Sequence, residues 1–264
     1  MTSIKEINVR VHPPLTAATP SQRQTAIGIG VVLLCWEWIV RAGWVAAAVC
    51  PAPSMILTEL AALGHSGTLG PALLASGVRW LTGMTAGSIV GILAAVAAGR
   101  RTAIGGIIVP WVHLLYPVPK IALLPLFILW FGIGEWPKSI IIGLGAFFPV
   151  FINVWNGIRR LPRSYDEVIA VYPVGTGYYL RRILLPALLP AVFVGLKLAA
   201  GSALVLLVAA EMLAADTGLG ALILHYGDLM LTAPLLACVT VLAAAGLVIQ
   251  LLIGRAERYF IRWR

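Results

Sequence analysis

The stretch Tyr165-Asp-Glu-Val-Ile-Ala-Val-Tyr-Pro-Val-Gly-Thr-Gly-Tyr-Tyr-Leu-Arg-Arg-Ile-Leu-Leu-Pro186 is a polar island in an apolar chain. It gathers Asp166, Glu167, Arg181 and Arg182 with tyrosines, glycines and helix formers. Apolar blocks lie on either side, from Trp136 to Gly157 and from Ala191 to Met212. Each is close to the roughly 20 residues a helix needs to cross a bilayer core. A connector of about thirty residues is too long for a simple turn. Its composition predicts a short helix lying outside the bilayer.

Four more apolar blocks complete a set of six predicted spans. They run from about Ala26 to Val49, Leu81 to Ala98, Ile104 to Phe131 and Ala233 to Ile253. Pro51 and Pro53 end the first, and Pro117 and Pro119 interrupt the third. Between the first two spans, Ser54 to Trp80 is only moderately apolar. Leu73, Leu74, Val78 and Leu81 there share one helical face, which reads as an interfacial helix or an extension of the second span. The predicted fold class is an all-α integral membrane protein with six transmembrane helices. In domain terms, residues 1–25 form a cytoplasmic segment, 26–254 the transmembrane unit and 255–264 a basic tail.

Composition excludes a soluble domain. Apolar residues make up 60% and charged residues 11% of the 264, and mean hydropathy is +0.96, where soluble domains carry roughly 25% charged residues. The net charge of +9 is no nucleic-acid footprint, because the basic residues cluster at the ends of apolar blocks. Lys5, Arg10, Arg23, Arg100, Arg101, Arg159, Arg160, Arg163, Arg181, Arg182, Arg255, Arg258, Arg262 and Arg264 fall on one side if the chain crosses six times. The segment from Ala214 to Thr232, on the other side, has Asp216 and Asp228 but no lysine or arginine. The positive-inside rule then places both termini in the cytoplasm. Residues 1–25 lack an apolar core, so no cleavable signal peptide is expected and the first span acts as a signal-anchor.

Catalytic chemistry is absent from the pattern. No GxxxxGK[ST], HExxH or GxSxG occurs. Cys35, Cys50 and Cys238 fit no metal or redox spacing and read as small apolar fillers. His12, His65, His113 and His225 are isolated from one another. Any energy coupling must therefore come from an ion gradient or from a partner. Gly83, Gly87 and Gly91 line one face of the second span. Close packing inside one chain is the ordinary reading of such a face, and a seam with a second copy the sharper one.

The polar island resembles the signature loop of ABC-importer permeases, in which Glu-Ala-Ala precedes a glycine and a Leu-Pro pair. Glu167 stands at the signature acid, Leu185-Pro186 at the matching distance, and Arg181 and Arg182 at the basic positions before it. Val168 and Ile169 replace the alanines, and Pro173 stands where the glycine is expected, with Gly175 and Gly177 just beyond. Further stretches resemble the nitrate/sulfonate/taurine-type branch of that family. They are Tyr116-Pro-Val-Pro119, Leu124-Pro-Leu126, Leu129-Trp-Phe-Gly-Ile-Gly-Glu135, and Val208-Ala-Ala-Glu211 followed by Gly218-Leu-Gly220. The likeness covers about residues 30 to 260.

The resemblance implies a type I importer permease in the bacterial inner membrane, a non-catalytic subunit passing a small anion. It implies a second copy of the permease, two ATP-binding cassette subunits and a periplasmic or lipid-anchored solute-binding protein. No cofactor or metal is expected on this chain; ATP and Mg belong to the partner ATPase. Tyr165, Asp166, Glu167, Tyr172, Pro173, Gly175, Arg181, Arg182, Leu185 and Pro186 would form the ATPase-coupling loop. Pro173 would end its helix and Gly175 would supply unusual angles for the following turn.

Charges inside the predicted spans are the candidates for a pathway, since a charge in hydrocarbon costs roughly 2.5–3.5 kcal/mol at a helix centre on insertion scales. Lys120, Glu37 and Glu211 are the pathway candidates. Against that stand snorkelling, for Lys197 and Arg41, and internal ion pairing, for Glu37 with Arg41 four residues on. An ion-coupled secondary transporter is the alternative function, and a membrane enzyme the third. The absence of a visible internal repeat speaks against the carrier, and the absence of any nucleophile, base or metal cluster against the enzyme.

Overall fold

The computed structural model describes residues 22–162 and 175–262. Among these residues all regular structure is helical. The longer helices are α1 (Gln22–Arg41), α2 (Pro53–His65), α3 (Leu69–Arg100), α4 (Thr102–Leu115), α5 (Leu124–Phe131) and α6 (Glu135–Arg159). After the loop come α7 (Leu185–Ala214), α8 (Leu219–Asp228) and α9 (Thr232–Phe260). Helices α1, α3, α6, α7 and α9 are long and apolar enough to cross a membrane. Helices α4 and α5, with the 3-10 turn Lys120–Leu123 between them, form a pair bent by 97°, which brings the crossings to six where the pair is counted as one broken span.

The bend falls where the prolines predict it. Pro117 and Pro119 lack the N–H that would continue α4. Elsewhere the boundaries differ from expectation. The first span stops at Arg41, eight residues short of Val49, and residues 42–50 form turns. The moderately apolar stretch after it is two helices, because Gly67 takes φ +75° and parts α2 from α3. Leu73, Leu74, Val78 and Leu81 belong to α3, which is 32 residues long, and all four are exposed on it. They extend the second span rather than form a separate interfacial helix. Helix α9 runs on to Phe260, so Arg255 and Arg258 belong to the last helix and not to a separate tail.

Helix α6 is the centre of the bundle, packed between α3 and α7. Ile141, Ile142, Ala146, Val150, Phe151 and Val154 on it are fully buried. In lipid there is little hydrophobic drive between helices, so close van der Waals fit must hold them. The glycine face of α3 provides that fit. A Cβ on Gly87 would lie 2.1 Å from the Gly143 carbonyl oxygen of α6, and one on Gly83 would lie 2.7 Å from Ile142. Packing within one chain thus accounts for the stripe. A second cluster joins α2, α8 and α9 through Ile56, Leu63, Ile223, Ala237 and Cys238. Cys238 is a buried filler as expected, whereas Cys35 is exposed. Helix α1 packs little, and Ile27, Ile29, Val32 and Leu34 remain outward, as suits a lipid-facing helix.

Candidate functional site

At the end of the bundle away from Arg100, four segments meet on Arg79. Its position lies about 31 Å along α3 from Arg100 at a rise of ~1.5 Å per residue, close to a full hydrocarbon thickness. Nε and Nη2 donate to the Glu135 carboxylate at 2.5 and 3.0 Å, and Nη1 donates to Glu211 at 2.8 Å. Nη1 also donates to the Thr217 carbonyl, and Nη2 to the Thr217 hydroxyl at 3.1 Å. Lys138 sits one helical turn from Glu135 and pairs with it at 2.9 Å.

Glu211 is used on every side. Ser76 Oγ donates to its two oxygens at 2.9 and 2.8 Å, and the Gly220 N–H donates to Oε2 at 2.9 Å. The Leu219 N–H donates to Ser76 Oγ at 2.8 Å. Together Glu211 and Ser76 satisfy the first two free donors of α8, at the end where a helix favours an anion. Gly218 takes φ +125°, and a Cβ there would lie 2.5 Å from the Glu211 carboxyl carbon. The Gly218-Leu-Gly220 stretch is therefore the shape α8 needs to settle on Glu211. Glu211, a predicted pathway residue, is 1% exposed and belongs to an internal ion pair.

Glu37 plays the same part at α2. Arg41 Nε donates to it at 2.5 Å, the pairing expected from their spacing. The Ser54 N–H and hydroxyl also donate to it, at 3.0 and 2.7 Å. Glu37 thereby ties the end of α1 to the start of α2. It lies about one helical turn from the end of α1, not deep in a span, because α1 stops at Arg41. Lys197 of α7 contacts Glu257 of α9 through its ammonium. It is an ion-paired residue and not only a snorkelling one.

Lys120 differs from these. It is half-buried at the break between α4 and α5, with its ammonium 4.9 Å from the Tyr116 ring centre and 4.8 Å from that of Phe148. It donates to the Tyr116 carbonyl. Arg41, Arg79, Lys138 and Lys197 each contact a carboxylate, and among the described residues Lys120 contacts none. A groove of about 520 Å³ between α3 and α6 starts at Arg79 and Glu135 and continues past Gly83, Gly87 and Phe147. Beyond its first turn the lining is almost wholly apolar, so it offers an ion no continuous path.

Of the predicted coupling loop, Tyr165, Asp166, Glu167, Tyr172 and Pro173 lie outside the described residues. Gly175 is exposed and its φ is not in the left-handed region, so the unusual backbone angle expected there is not found. Thr176–Tyr178 is one helical turn, and Tyr179–Leu184 follows as a π-helical turn. Pro186 stands at the first turn of α7, where its missing N–H costs nothing. Arg181 and Arg182 are exposed, and Leu184 and Leu188 turn inward with 2% and 1% exposure. The Leu-Pro pair thus opens α7 directly beneath the basic pair.

Arg79, Ser76, Glu135, Lys138 and Glu257 were not legible as site residues. One signal was available: an arginine isolated within an apolar helix must find an acid.

The sequence pattern of the family described as "Binding-protein-dependent transport system inner membrane component" matches residues 87–262. SsuC of Bacillus subtilis strain 168, assigned to aliphatic sulfonate transport, is 34% identical over 89% of this chain and 85% of its own. The taurine transport permease TauC of Escherichia coli strain K12 is 30% identical over 97% of each chain. A chain from inward-facing structures of the MetNI methionine ABC transporter aligns with TM-score 0.59 at 20% identity, over 74% of this chain and 95% of that one. That last likeness speaks to the fold alone, which is of the type I importer permease kind. The chain belongs to the binding-protein-dependent transport family, as a multi-pass membrane permease subunit of an ABC importer. The ion-coupled carrier is thereby set aside.

Proposed function

We propose that this permease passes small organic anions of the sulfonate type into the cell. The observation that carries the reading is the similarity to the taurine permease over 97% of each chain. Two copies of the chain would form the pathway, two ATPase subunits would bind below, and a solute-binding protein would deliver from outside. The chain itself hydrolyses nothing; ATP and Mg are held by the partner. The basic residues at the ends of α3, α6 and α9 support a cytoplasmic location for those ends, and hence for both termini in an inner membrane. The loop from Arg159 to Pro186 is then cytoplasmic and free to dock. Docking would pass ATP-driven closure to α6 and α7, the helices that flank the loop and pack on each other.

The test is purification of the permease with the ATPase and binding protein encoded beside it, followed by reconstitution. Uptake of taurine or a simple alkanesulfonate that needs ATP and the binding protein supports the reading. A binding protein that takes only neutral or cationic solutes overturns the sulfonate assignment.

A further inference from the structure

We propose that Lys120 is the residue that holds the solute's anionic group midway across the membrane, a reading that rests on the anionic solute proposed above. Depth is the first support. Phe148, against which Lys120 lies, is about 20 Å from the start of α6 and about 17 Å from its end at ~1.5 Å per residue. Tyr116 lies about 21 Å beyond the start of α4 by the same measure. Both helices thus put the ammonium near the middle of the bilayer.

Partnership is the second support. A cation at that depth ordinarily pairs with an acid or faces a water-filled cavity. The other intramembrane cations have their carboxylates, and Lys120 has two ring faces and one carbonyl. Ring faces attract a cation without neutralising it. An ammonium has three donors, and the Tyr116 carbonyl takes one. The remainder suit the oxygens of a sulfonate or carboxylate.

The 97° break gives the third support. Non-helical backbone at membrane depth is tolerated where it lines a cavity or is packed in protein, and Lys120 opens the 3-10 turn within that break. The rings orient the ammonium, and among the described residues the one charge left unpaired at this place is that of Lys120. The site therefore favours a monoanion and holds it by one charged contact, weak enough to be left again. Arg79 and Lys197 do not share this task, since their charges are committed to Glu135, Glu211 and Glu257.

The experiment uses the complete transporter in proteoliposomes. Lys120→Gln is expected to lower taurine uptake at least about tenfold, the scale of one lost hydrogen bond to a charged group. Binding-protein affinity and ATPase co-purification should stay as they were, and Lys120→Arg should restore most of the uptake. Independently, ethanesulfonate should protect Lys120 of the unaltered complex from a membrane-permeant acylating reagent, read by peptide mass spectrometry, and chloride should not. Normal uptake by Lys120→Gln overturns the proposal, as does acylation unchanged by ethanesulfonate. Should Lys120→Gln fail to assemble, the protection measurement decides. If the binding protein takes no anion, the sulfonate reading falls first; if it does and Lys120→Gln still imports normally, only the role of Lys120 falls.

Discussion

Arg79 Nη1 lies 2.8 Å from Glu211 Oε1, and the two side chains are 7% and 1% exposed. This pair joins α3 to α7, and through Gly220 it also anchors α8. Without Arg79 the Glu211 charge would be stranded in a packed, low-dielectric setting. Breaking such a pair from one side costs about 3–5 kcal/mol, because the surviving charge keeps its desolvation penalty. Arg79→Met should therefore lower the thermal stability of the purified permease sharply. Arg79→Met combined with Glu211→Leu should lose less than the sum of the two single changes. Thermal unfolding in detergent checks this, and strict additivity would count against direct coupling.

Close approach of α3 and α6 makes a second expectation. Gly87→Leu should prevent the helices from meeting, since the first added carbon already overlaps the Gly143 carbonyl. Loss of a monodisperse peak after extraction is the expected outcome. Gly106→Ala, in α4 where a Cβ would meet nothing within 4 Å, is the matched control and should behave as the parent.

Topology is checked by labelling. Cysteines placed at Arg160 and Arg258 should react with an impermeant maleimide only in inverted vesicles, and one at Asp228 only in intact cells. The charge asymmetry of the loops motivates the expectation. Labelling of the Arg160 position from outside would remove the six-crossing arrangement.

Coupling to the ATPase rests on the loop before α7. Glu167→Arg should leave the permease in the membrane and weaken ATPase co-purification, because the sign of a docking charge is reversed. Pro173→Gly should be tolerated, since it restores the residue usual at that place in the family signature. At Gly175 an added Cβ meets nothing within 4 Å among the described residues, and no left-handed backbone is needed. A fall in stimulated ATP turnover in that variant is the outcome expected if the loop docks on the partner. Normal docking and turnover in both Glu167→Arg and Gly175→Val would end the assignment.

Residue order alone carried the membrane class, five of the long apolar helices and the break in the third predicted span. These follow from local causes: apolar run length, basic residues at run ends, and proline in a helix. The Glu37–Arg41 pair was legible for the same reason, as four-residue spacing brings the two together on any helix. Helix ends were less legible where residues remain apolar but the chain turns, as after Arg41 and at Gly67.

What sequence could not pair was the set of distant charges. Arg79 meets Glu135 and Glu211, and Lys197 meets Glu257, across separations that only the packing of α3, α6, α7 and α9 closes. Read singly, Glu211 and Lys120 are alike: each is a charge in an apolar run. The fold separates them, because Glu211 lands beside an arginine and the start of a helix, and Lys120 lands between two rings. The sequence by itself determined that charges would be buried in this membrane protein; which of them are neutralised was decided by tertiary structure, because an ion pair requires contact within a few ångströms and only the folded bundle creates it.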